Sequence, residues 1–258
     1  MKPKRWYDMK KNGDSADVYI YNEIGFFGIT ASQFITDLAA LDSPKTITLH
    51  INSVGGEIWD GMAIYNTLVQ HPAKVNVVIE GVAASIASVI AMAGDKVSMF
   101  ETSMFMVHKP WTVAVGNSSD MEKSAEVLDK IQEAITAAYL SKAKDLTRAD
   151  IEALIDEESW MLPEEAKEKG FIDKIIKRSD DEKAADKADV EARIVDCRGL
   201  VEQFKNAPQR IAALVRNAPP SAKVKTEDEK KIEALEIENS ALKQSVAARD
   251  KAINLLTL

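Results

Sequence analysis

The sequence predicts an α/β fold with a largely parallel sheet. Short β-branched runs alternate with stretches whose apolar residues recur at helical spacing, in the order strand, helix, strand, helix. Two successive strands are separated from the helices that follow them by junctions that contain glycine: the tight turn at Gly55-Gly56 and the stretch from Gly81 to Ser85. Because the carboxyl ends of parallel strands share one edge of the sheet, we expect these two junctions to lie side by side there.

The individual elements have recognisable boundaries. The predicted strands are 17–21, 46–51, 75–79, 96–100, 104–108 and 171–176. The predicted helices are 31–41, 57–69, 85–94 and 119–144, followed by one that begins at Thr147 and one that runs from 162 to 170. Asp150 stands three residues after Thr147, the spacing of a capping box.

Aromatic residues divide the chain into two parts. Of the 16 Phe, Trp and Tyr residues, 15 lie at or before Phe171, and only Phe204 lies beyond it. Residues 179–258 contain 15 acidic and 14 basic residues and few large apolar ones. We therefore predict a globular domain at 1–178 and a charged, helical tail at 179–258. Apolar steps of three and four predict a coiled coil at 230–258, with a solitary helix as the alternative.

Composition and charge exclude several classes of protein. Hydrophobic residues make up 46% of the chain, enough for a core. The net charge of −8 argues against nucleic-acid binding. Cys197 is the only cysteine, so no internal disulfide or cysteine metal cluster can form, and a reducing, cytoplasmic location is expected. The longest apolar run, 82–93, is too short to span a membrane, and the basic N-terminus lacks the apolar segment of a signal peptide.

Ser85 stands at the first turn of the predicted buried helix. Free N–H groups and the helix dipole favour negative charge there, which suits a nucleophile whose attack creates an oxyanion. The alternative is an N-cap or a small packing residue. Gly55 and Gly56 can adopt conformations closed to other residues, and with the amide of Ile86 they are suited to form an oxyanion hole. An ordinary tight turn is the alternative for the glycines.

A serine nucleophile needs a base and a group that orients the base. His108 ends a predicted strand, where a site residue is expected. His71 precedes a proline in a turn, and His50 lies inside a strand, as core histidines do. For the orienting acid, the sequence favours the cluster 156–158 just before Ser159, with a solvated acidic turn as the alternative.

Five successive motifs resemble those of the ClpP family of serine peptidases. They are residues 51–56, 63–65, 81–85, 106–110, and 160–166 together with 170–173. The resemblance covers about residues 15–178 and implies a ClpP/crotonase-type fold, peptide-bond hydrolysis and no metal or organic cofactor. It implies Ser85 as nucleophile, His108 as base, and the amides of Gly56 and Ile86 as oxyanion hole. The family has an aspartate as third residue; Glu158 stands at that position here, with Asp156 as the alternative.

Segment 19–31 and the charged tail resemble the ClpP-like head-maturation (prohead) proteases of tailed phages and prophages. This resemblance implies a protease that cleaves capsid and scaffold proteins inside the procapsid, with self-processing left open, and the resemblance to the ClpP family implies a ring-shaped homo-oligomer. An extended peptide is expected to bind near Gly55 and Trp111. The alternatives are a host-type ClpP proteolytic subunit that works with an ATP-dependent unfoldase, and a non-catalytic capsid-assembly scaffold protein. A crotonase-type acyl-CoA enzyme would have no need of Ser85 together with His108.

Overall fold

A computed structural model describes residues 5–25, 29–177 and 204–206. The strands are β1 (Tyr7–Asn12), β2 (Ser15–Tyr21), β3 (Thr46–Ser53), β4 (Lys74–Ala84), β5 (Lys96–Phe100), β6 (Met104–Val107), β7 (Ser159–Met161) and β8 (Lys174–Ile176). The helices are α1 (Ala31–Ala39), α2 (Ile58–Gln70), α3 (Ile86–Ala91), α4 (Ser118–Lys142), α5 (Arg148–Asp156) and α6 (Pro163–Glu168).

The contacts divide the chain into a unit Met1–Asn217, to which all described residues belong, and a unit Ala218–Leu258. The predicted helical tail, apart from residues 204–206, lies outside the described residues, and so does its coiled-coil segment at 230–258. The tail's structure and the domain boundary at 178 stay predictions.

The strands of the described residues form one sheet in the order β1-β2-β3-β4-β5-β8. β1 is antiparallel to β2, and the other neighbours in this order are parallel. β6 pairs in parallel with the end of β4, from Val82 to Ala84, and β7 pairs antiparallel with β6. The predicted α/β fold with a largely parallel sheet is confirmed.

The core lies against one face of the central strands. In β3, the fully buried Ile47, Leu49 and Ile51 alternate with half-buried residues, as expected when successive side chains point to opposite faces. Helices α1 and α2 contribute Phe34 and Ile64 to the same apolar cluster. Helices α1 and α2 therefore pack on the face of the sheet that carries the buried residues of β3.

The sequence did not predict β1, because polar residues fill most of it and no apolar alternation marks it. The preceding Trp6 is fully buried and stacks on Phe34, with ring centroids 5.7 Å apart. Its indole N–H donates to the carbonyl oxygen of Ile29 at 2.7 Å. Tertiary contacts of a single tryptophan therefore anchor a strand whose own sequence is mostly hydrophilic.

Phe34→Ala is expected to lower the free energy of unfolding by about 3–5 kcal/mol, because it leaves a cavity beneath Trp6. Phe34 is fully buried in α1 and touches the rings of both Trp6 and Tyr7. Denaturant titration of the full chain measures the change. Ser32→Ala, on the exposed side of the same helix, should change stability by less than about 0.5 kcal/mol. Equal effects of the two substitutions would contradict this description of the core.

The strand that leads to Ser85 is longer than the predicted 75–79. β4 pairs first with β5 and then with β6, so it remains extended up to Ala84. Gly81 lies within this strand, and the predicted junction from Gly81 to Ser85 is confined to Ser85. A Cβ atom at Gly81 would lie 2.4 Å from Oδ1 of Asn52, so glycine allows β3 and β4 to approach closely there.

The helix after Ser85 and the closing strand are shorter than predicted, and β7 was not predicted. The helix after Ser85 is α3, which ends at Ala91; i→i+3 hydrogen bonds then continue the turn to Gly94. The closing strand is only β8, since Phe171 packs its ring on Phe105 in the core, with centroids 5.2 Å apart. β7 has three residues, too few for any period to be visible in the sequence.

Helix α4 is the longest helix of the described part of the chain, with 25 residues. Asn117 and Asp120 form a capping box at its start, and Ile131, Ile135 and Tyr139 are among its buried residues. Its other sides are rich in charged residues, as expected of a helix with one face on a core. Neither α4 nor another described helix combines the length and the apolar character needed to cross a membrane.

Candidate active site

Ser85 occupies a strained junction between β4 and α3. Its backbone has φ 56° and ψ −133°, a conformation that non-glycine residues rarely adopt. Its N–H donates to the carbonyl oxygen of Met106 at 3.2 Å. Its carbonyl oxygen accepts hydrogen bonds from the N–H of Ser88 at 3.0 Å and from the Ser88 hydroxyl at 2.6 Å. A sharp strand-to-helix turn of this kind presents a serine hydroxyl at the edge of a sheet.

The Ser88 hydroxyl links this junction to α4. It lies 2.8 Å from the hydroxyl oxygen of Tyr139, and both residues are buried. Burial raises the pKa of Tyr139 far above its ordinary value, so the phenol stays neutral. A buried, satisfied hydrogen-bond network resists rearrangement. Ser88 and Tyr139 therefore hold the backbone of Ser85 in its strained conformation.

His108 follows directly after β6 and lies beside Ser85. Its Nε2 atom is 2.7 Å from Oγ of Ser85. The pairing of β6 with the end of β4 explains this contact, since Ala84 is opposite Met106 in the ladder. Burial lowers the pKa of His108, and the negative charge of Glu158 opposes that effect in part. The imidazole is therefore neutral at pH 7 and can accept a proton from the serine.

The other two histidines lie away from Ser85. The ring of His50 hydrogen-bonds with Glu80 at 2.7 Å and stacks on Tyr19. Nδ1 of His71 accepts a hydrogen bond from the N–H of Ala73 at 3.1 Å. Of the three histidines, the structure brings only His108 into contact with Ser85.

The two adjacent glycines bring backbone N–H groups close to Ser85. Gly55 and Gly56 have φ values of +104° and +142°, and a Cβ atom on Gly55 would lie 2.7 Å from Cβ of Ser85. The N–H of Gly55 donates to Oγ of Ser53, and its carbonyl accepts from the N–H of Ile24. Gly55 thus permits close approach, but its own polar groups are already engaged.

The N–H groups of Gly56 and Ile86 differ from that of Gly55. Within the described residues, neither donates a hydrogen bond to another protein group. Gly56 lies in the turn beside Ser85, and Ile86 begins α3 directly after it. Two unoccupied donors next to a nucleophile are the requirement for stabilising an oxyanion.

Neither predicted orienting acid hydrogen-bonds to His108. One carboxylate oxygen of Glu158 accepts from the backbone N–H of Asn206 at 2.7 Å, and the other accepts from that of Lys205 at 3.0 Å. Asp156 forms an ion pair with Lys109 at 3.0 Å. Glu158 is nevertheless the one whose charge acts on the His108 pKa. It therefore remains the better candidate for the third catalytic residue.

A cavity of about 670 Å³ opens in front of the serine. Its lining includes Gly56, Ser85, His108, Trp111 and Phe204. Trp111 is half exposed and lines the cavity, whereas Gly55 is not among the lining residues, and the role of both as substrate contacts stays a prediction. Phe204 was not predicted as a site residue, although its position as the last aromatic, isolated in a charged tail, was a signal. No described group of three or more His, Cys, Asp or Glu residues is arranged to hold a metal ion.

The fold and site define a class of α/β proteins with a serine–histidine pair and free backbone amides at the carboxyl edge of a parallel sheet. The sequence profile of the Clp protease family matches residues 2–179. The chain belongs to the Clp protease family, which is a family of peptidases. The resemblance at the level of the family is confirmed.

Similar curated proteins carry the name "ATP-dependent Clp protease proteolytic subunit". The one from Bacteroides fragilis is 35% identical over 144 residues, which is 54% of this chain and 68% of that protein. The one from Bacteroides thetaiotaomicron is also 35% identical over 144 residues, or 54% of this chain and 64% of that protein. The one from Deinococcus radiodurans is 33% identical over 151 residues, which is 57% of this chain and 74% of that protein. These relatives do not single out head-maturation proteases.

Proposed function

We propose that this protein is a serine endopeptidase in which Ser85 is the nucleophile and His108 is the general base. The 2.7 Å contact between Oγ of Ser85 and Nε2 of His108 is the observation that carries the proposal. The strained backbone of Ser85 supports it, because such strain concentrates at functional sites. Membership of the Clp protease family supports the choice of a peptide bond as substrate.

The reaction follows from the positions of these groups. His108 Nε2 accepts the hydroxyl proton as Oγ of Ser85 bonds to the scissile carbonyl carbon. The carbonyl oxygen becomes an oxyanion, which the N–H groups of Gly56 and Ile86 stabilise. The protonated His108 then donates its proton to the leaving amine as the peptide C–N bond breaks. Water then bonds to the acyl carbon as His108 accepts its proton, the ester bond to Oγ of Ser85 breaks, and His108 returns the proton to Oγ.

Two further contacts belong to the proposal. We propose that Glu158 stabilises the imidazolium form of His108, with Asp156 as the alternative. We also propose that an extended peptide binds along the cavity near Gly55, with Trp111 as an apolar contact. No metal or organic cofactor takes part in this mechanism.

The activity should rise with pH through a pKa that lies below the ordinary value of histidine, because only neutral His108 accepts the serine proton. The charge of Glu158 raises that pKa, so Glu158→Gln should move the acidic limb of the kcat/KM profile to lower pH. Hydrolysis of a fluorogenic peptide across a pH series measures the shift. Glu157→Gln, the matched control, should leave the limb in place. A shift to higher pH in Glu158→Gln would contradict the role of this charge.

We propose that the substrates are capsid and scaffold proteins of an immature phage or prophage head, cut in the bacterial cytoplasm within the procapsid. The charged segment 180–258, which lies beyond the family match, supports an assembly role for the tail. Intact mass spectrometry of the purified wild-type and Ser85→Ala chains tests self-processing. A wild-type chain shortened in the tail, beside a full-length Ser85→Ala chain, would support it, and full-length masses for both chains would contradict it.

The printed names of the relatives favour a second candidate, the proteolytic subunit of an ATP-dependent Clp protease. Cleavage assays separate the two candidates. The substrates are unfolded casein and a stably folded protein, each tested with and without a Clp-type unfoldase and ATP. The maturation protease should cleave casein at a rate that the unfoldase leaves unchanged. Cleavage of the folded protein only with unfoldase and ATP would favour the second candidate. No cleavage under any condition would favour a non-catalytic scaffold protein.

We further propose that the chain forms a ring-shaped homo-oligomer, since proteins of this family do so. Sedimentation velocity of the full chain measures its mass. A single species several times the 28.4 kDa of one chain would support a ring. A species that stays at the mass of one chain at every concentration tested would contradict it.

A further inference from the structure

A short segment of the chain, residues 204–206, lies against the candidate site. The ring of Phe204 meets the ring of His108 edge to face, with centroids 5.3 Å apart and planes at 83°. It meets Trp160 in the same way at 5.6 Å. Phe204 also lines the cavity that contains Ser85. Edge-to-face contacts on two aromatic rings are a favourable geometry for an apolar anchor.

The same segment binds Glu158 through its backbone. The N–H groups of Lys205 and Asn206 donate to the two carboxylate oxygens of Glu158, and the side-chain amide of Asn206 donates to the carbonyl oxygen of Glu157 at 2.8 Å. Hydrogen bonds to a charged carboxylate are stronger than those between neutral groups. Glu158 has φ 52°, a backbone conformation that a turn must hold in place. Both oxygens of Glu158 are thus engaged by this segment.

These contacts have a direct effect on His108. The ring of Phe204 packs against the ring of His108, while the N–H groups of Lys205 and Asn206 occupy the carboxylate whose charge acts on the His108 pKa. A serine–histidine pair works best when a carboxylate orients the second ring nitrogen of the histidine. Within the described residues, no hydrogen bond is present at that nitrogen. The segment therefore narrows access to the cavity at Ser85. It also occupies the carboxylate of Glu158, the proposed third catalytic residue.

We propose that residues 204–206 form an inhibitory segment that holds the enzyme in a latent state until it is displaced. This inference rests on the proposed peptidase function. When the segment leaves, the cavity opens beside His108, and Glu158 becomes free to accept a hydrogen bond from Nδ1 of His108. Phe204, Lys205 and Asn206 are consecutive in the chain, so displacing the segment frees His108 and Glu158 together.

The test compares full-length chains in their rate of reaction with a fluorophosphonate at Ser85. Phe204→Ala removes the anchor and should raise the rate about tenfold, by shifting the population to the open state. Lys205→Pro removes one N–H donor to Glu158 and should also raise the rate. Lys205→Ala, its matched control, keeps that N–H and should react like wild type.

Hydrogen exchange gives a second measurement that does not depend on catalysis. In the Ser85→Ala chain, the amides of Lys205 and Asn206 should be protected, and Phe204→Ala should remove the protection. Equal labelling rates in wild type and Phe204→Ala would overturn the inhibitory role and leave the peptidase intact. Cleavage within 204–206 would also overturn it, because the segment would then be a substrate.

The two proposals fail in different ways. Protected amides at 205 and 206, with no labelling of Ser85 in any variant, would contradict the peptidase and leave the docked segment established. The segment would then lose its inhibitory meaning, since there would be no activity to inhibit. Unprotected amides in the Ser85→Ala chain would contradict docking itself.

Discussion

Ser85→Ala is expected to lower kcat/KM for peptide hydrolysis at least about a thousandfold, because the substitution removes the only atom that attacks the carbonyl carbon. The fold should survive. Alanine retains the Cβ atom, and the backbone of Ser85 is held through its N–H and carbonyl groups, which the substitution does not change. Steady-state hydrolysis of a fluorogenic peptide measures the loss, and thermal unfolding checks that the chain is folded.

Ser141→Ala is the matched control for this substitution. Ser141 lies near the end of α4, and among the described residues its hydroxyl hydrogen-bonds to the carbonyl oxygen of Ala138 in its own helix. Its loss should leave kcat/KM unchanged. A folded Ser85→Ala chain with wild-type activity would contradict the proposed mechanism, since another residue would have to be the nucleophile.

Gly56→Ala is expected to lower kcat about a hundredfold or more, because the N–H proposed to bind the oxyanion must move. A Cβ atom on Gly56 would lie 2.2 Å from the carbonyl oxygen and 2.7 Å from the nitrogen of Ile24, and both are backbone atoms. Neither atom can turn aside as a flexible side chain would. The turn next to Ser85 must therefore shift, and stability should fall as well. Single-turnover kinetics separate the loss in the chemical step from any loss in binding.

Gly13→Ala is the control for the backbone strain alone. Gly13 has φ +61°, but a Cβ atom there would meet nothing within 4 Å. This substitution should cost stability, on the order of 1 kcal/mol, and leave kcat unchanged. If Gly56→Ala and Gly13→Ala changed kcat equally, the N–H of Gly56 would have no special part in the reaction.

The sequence was sufficient for those parts of the fold that depend on local pattern. Alternating apolar residues identified β3, and a capping box at Thr147 identified the start of α5. The position of Ser85 at a strand-to-helix junction followed in the same way. These features depend on residues that are neighbours in the chain, so their periodicity is visible without any tertiary contact.

Contacts between distant residues could not be predicted in this way. The bridge between Ile24 and Gly56 depends on two turns packing together, and nothing local in either segment indicates it. The extension of β4 to Ala84 depends on its pairing with β6. The binding of Glu158 by Lys205 and Asn206 joins residues from the two predicted parts of the chain. Spacing within one element carries no information on such pairs.

In the candidate site, too, some features could be predicted from the sequence and others depend on tertiary contacts. Ser85 and His108 could be proposed from motif order, and their 2.7 Å contact has a simple cause in the pairing of β4 with β6. The acid could not be chosen from spacing, because Asp156 and Glu158 belong to one cluster. Their partners differ through tertiary structure: Lys109 binds Asp156, whereas Glu158 acts on the pKa of His108.

The most direct test of the central claim is reaction with a fluorophosphonate, followed by peptide mapping of the labelled residue. Ser85 should carry the label in the wild-type and Phe204→Ala chains, and His108→Ala should react far more slowly, because the serine hydroxyl then has no base. A label on another residue, or no label on Ser85 in either of the first two chains, would contradict the assignment of Ser85 as nucleophile. Labelling of His108→Ala at the wild-type rate would contradict the assignment of His108 as its base.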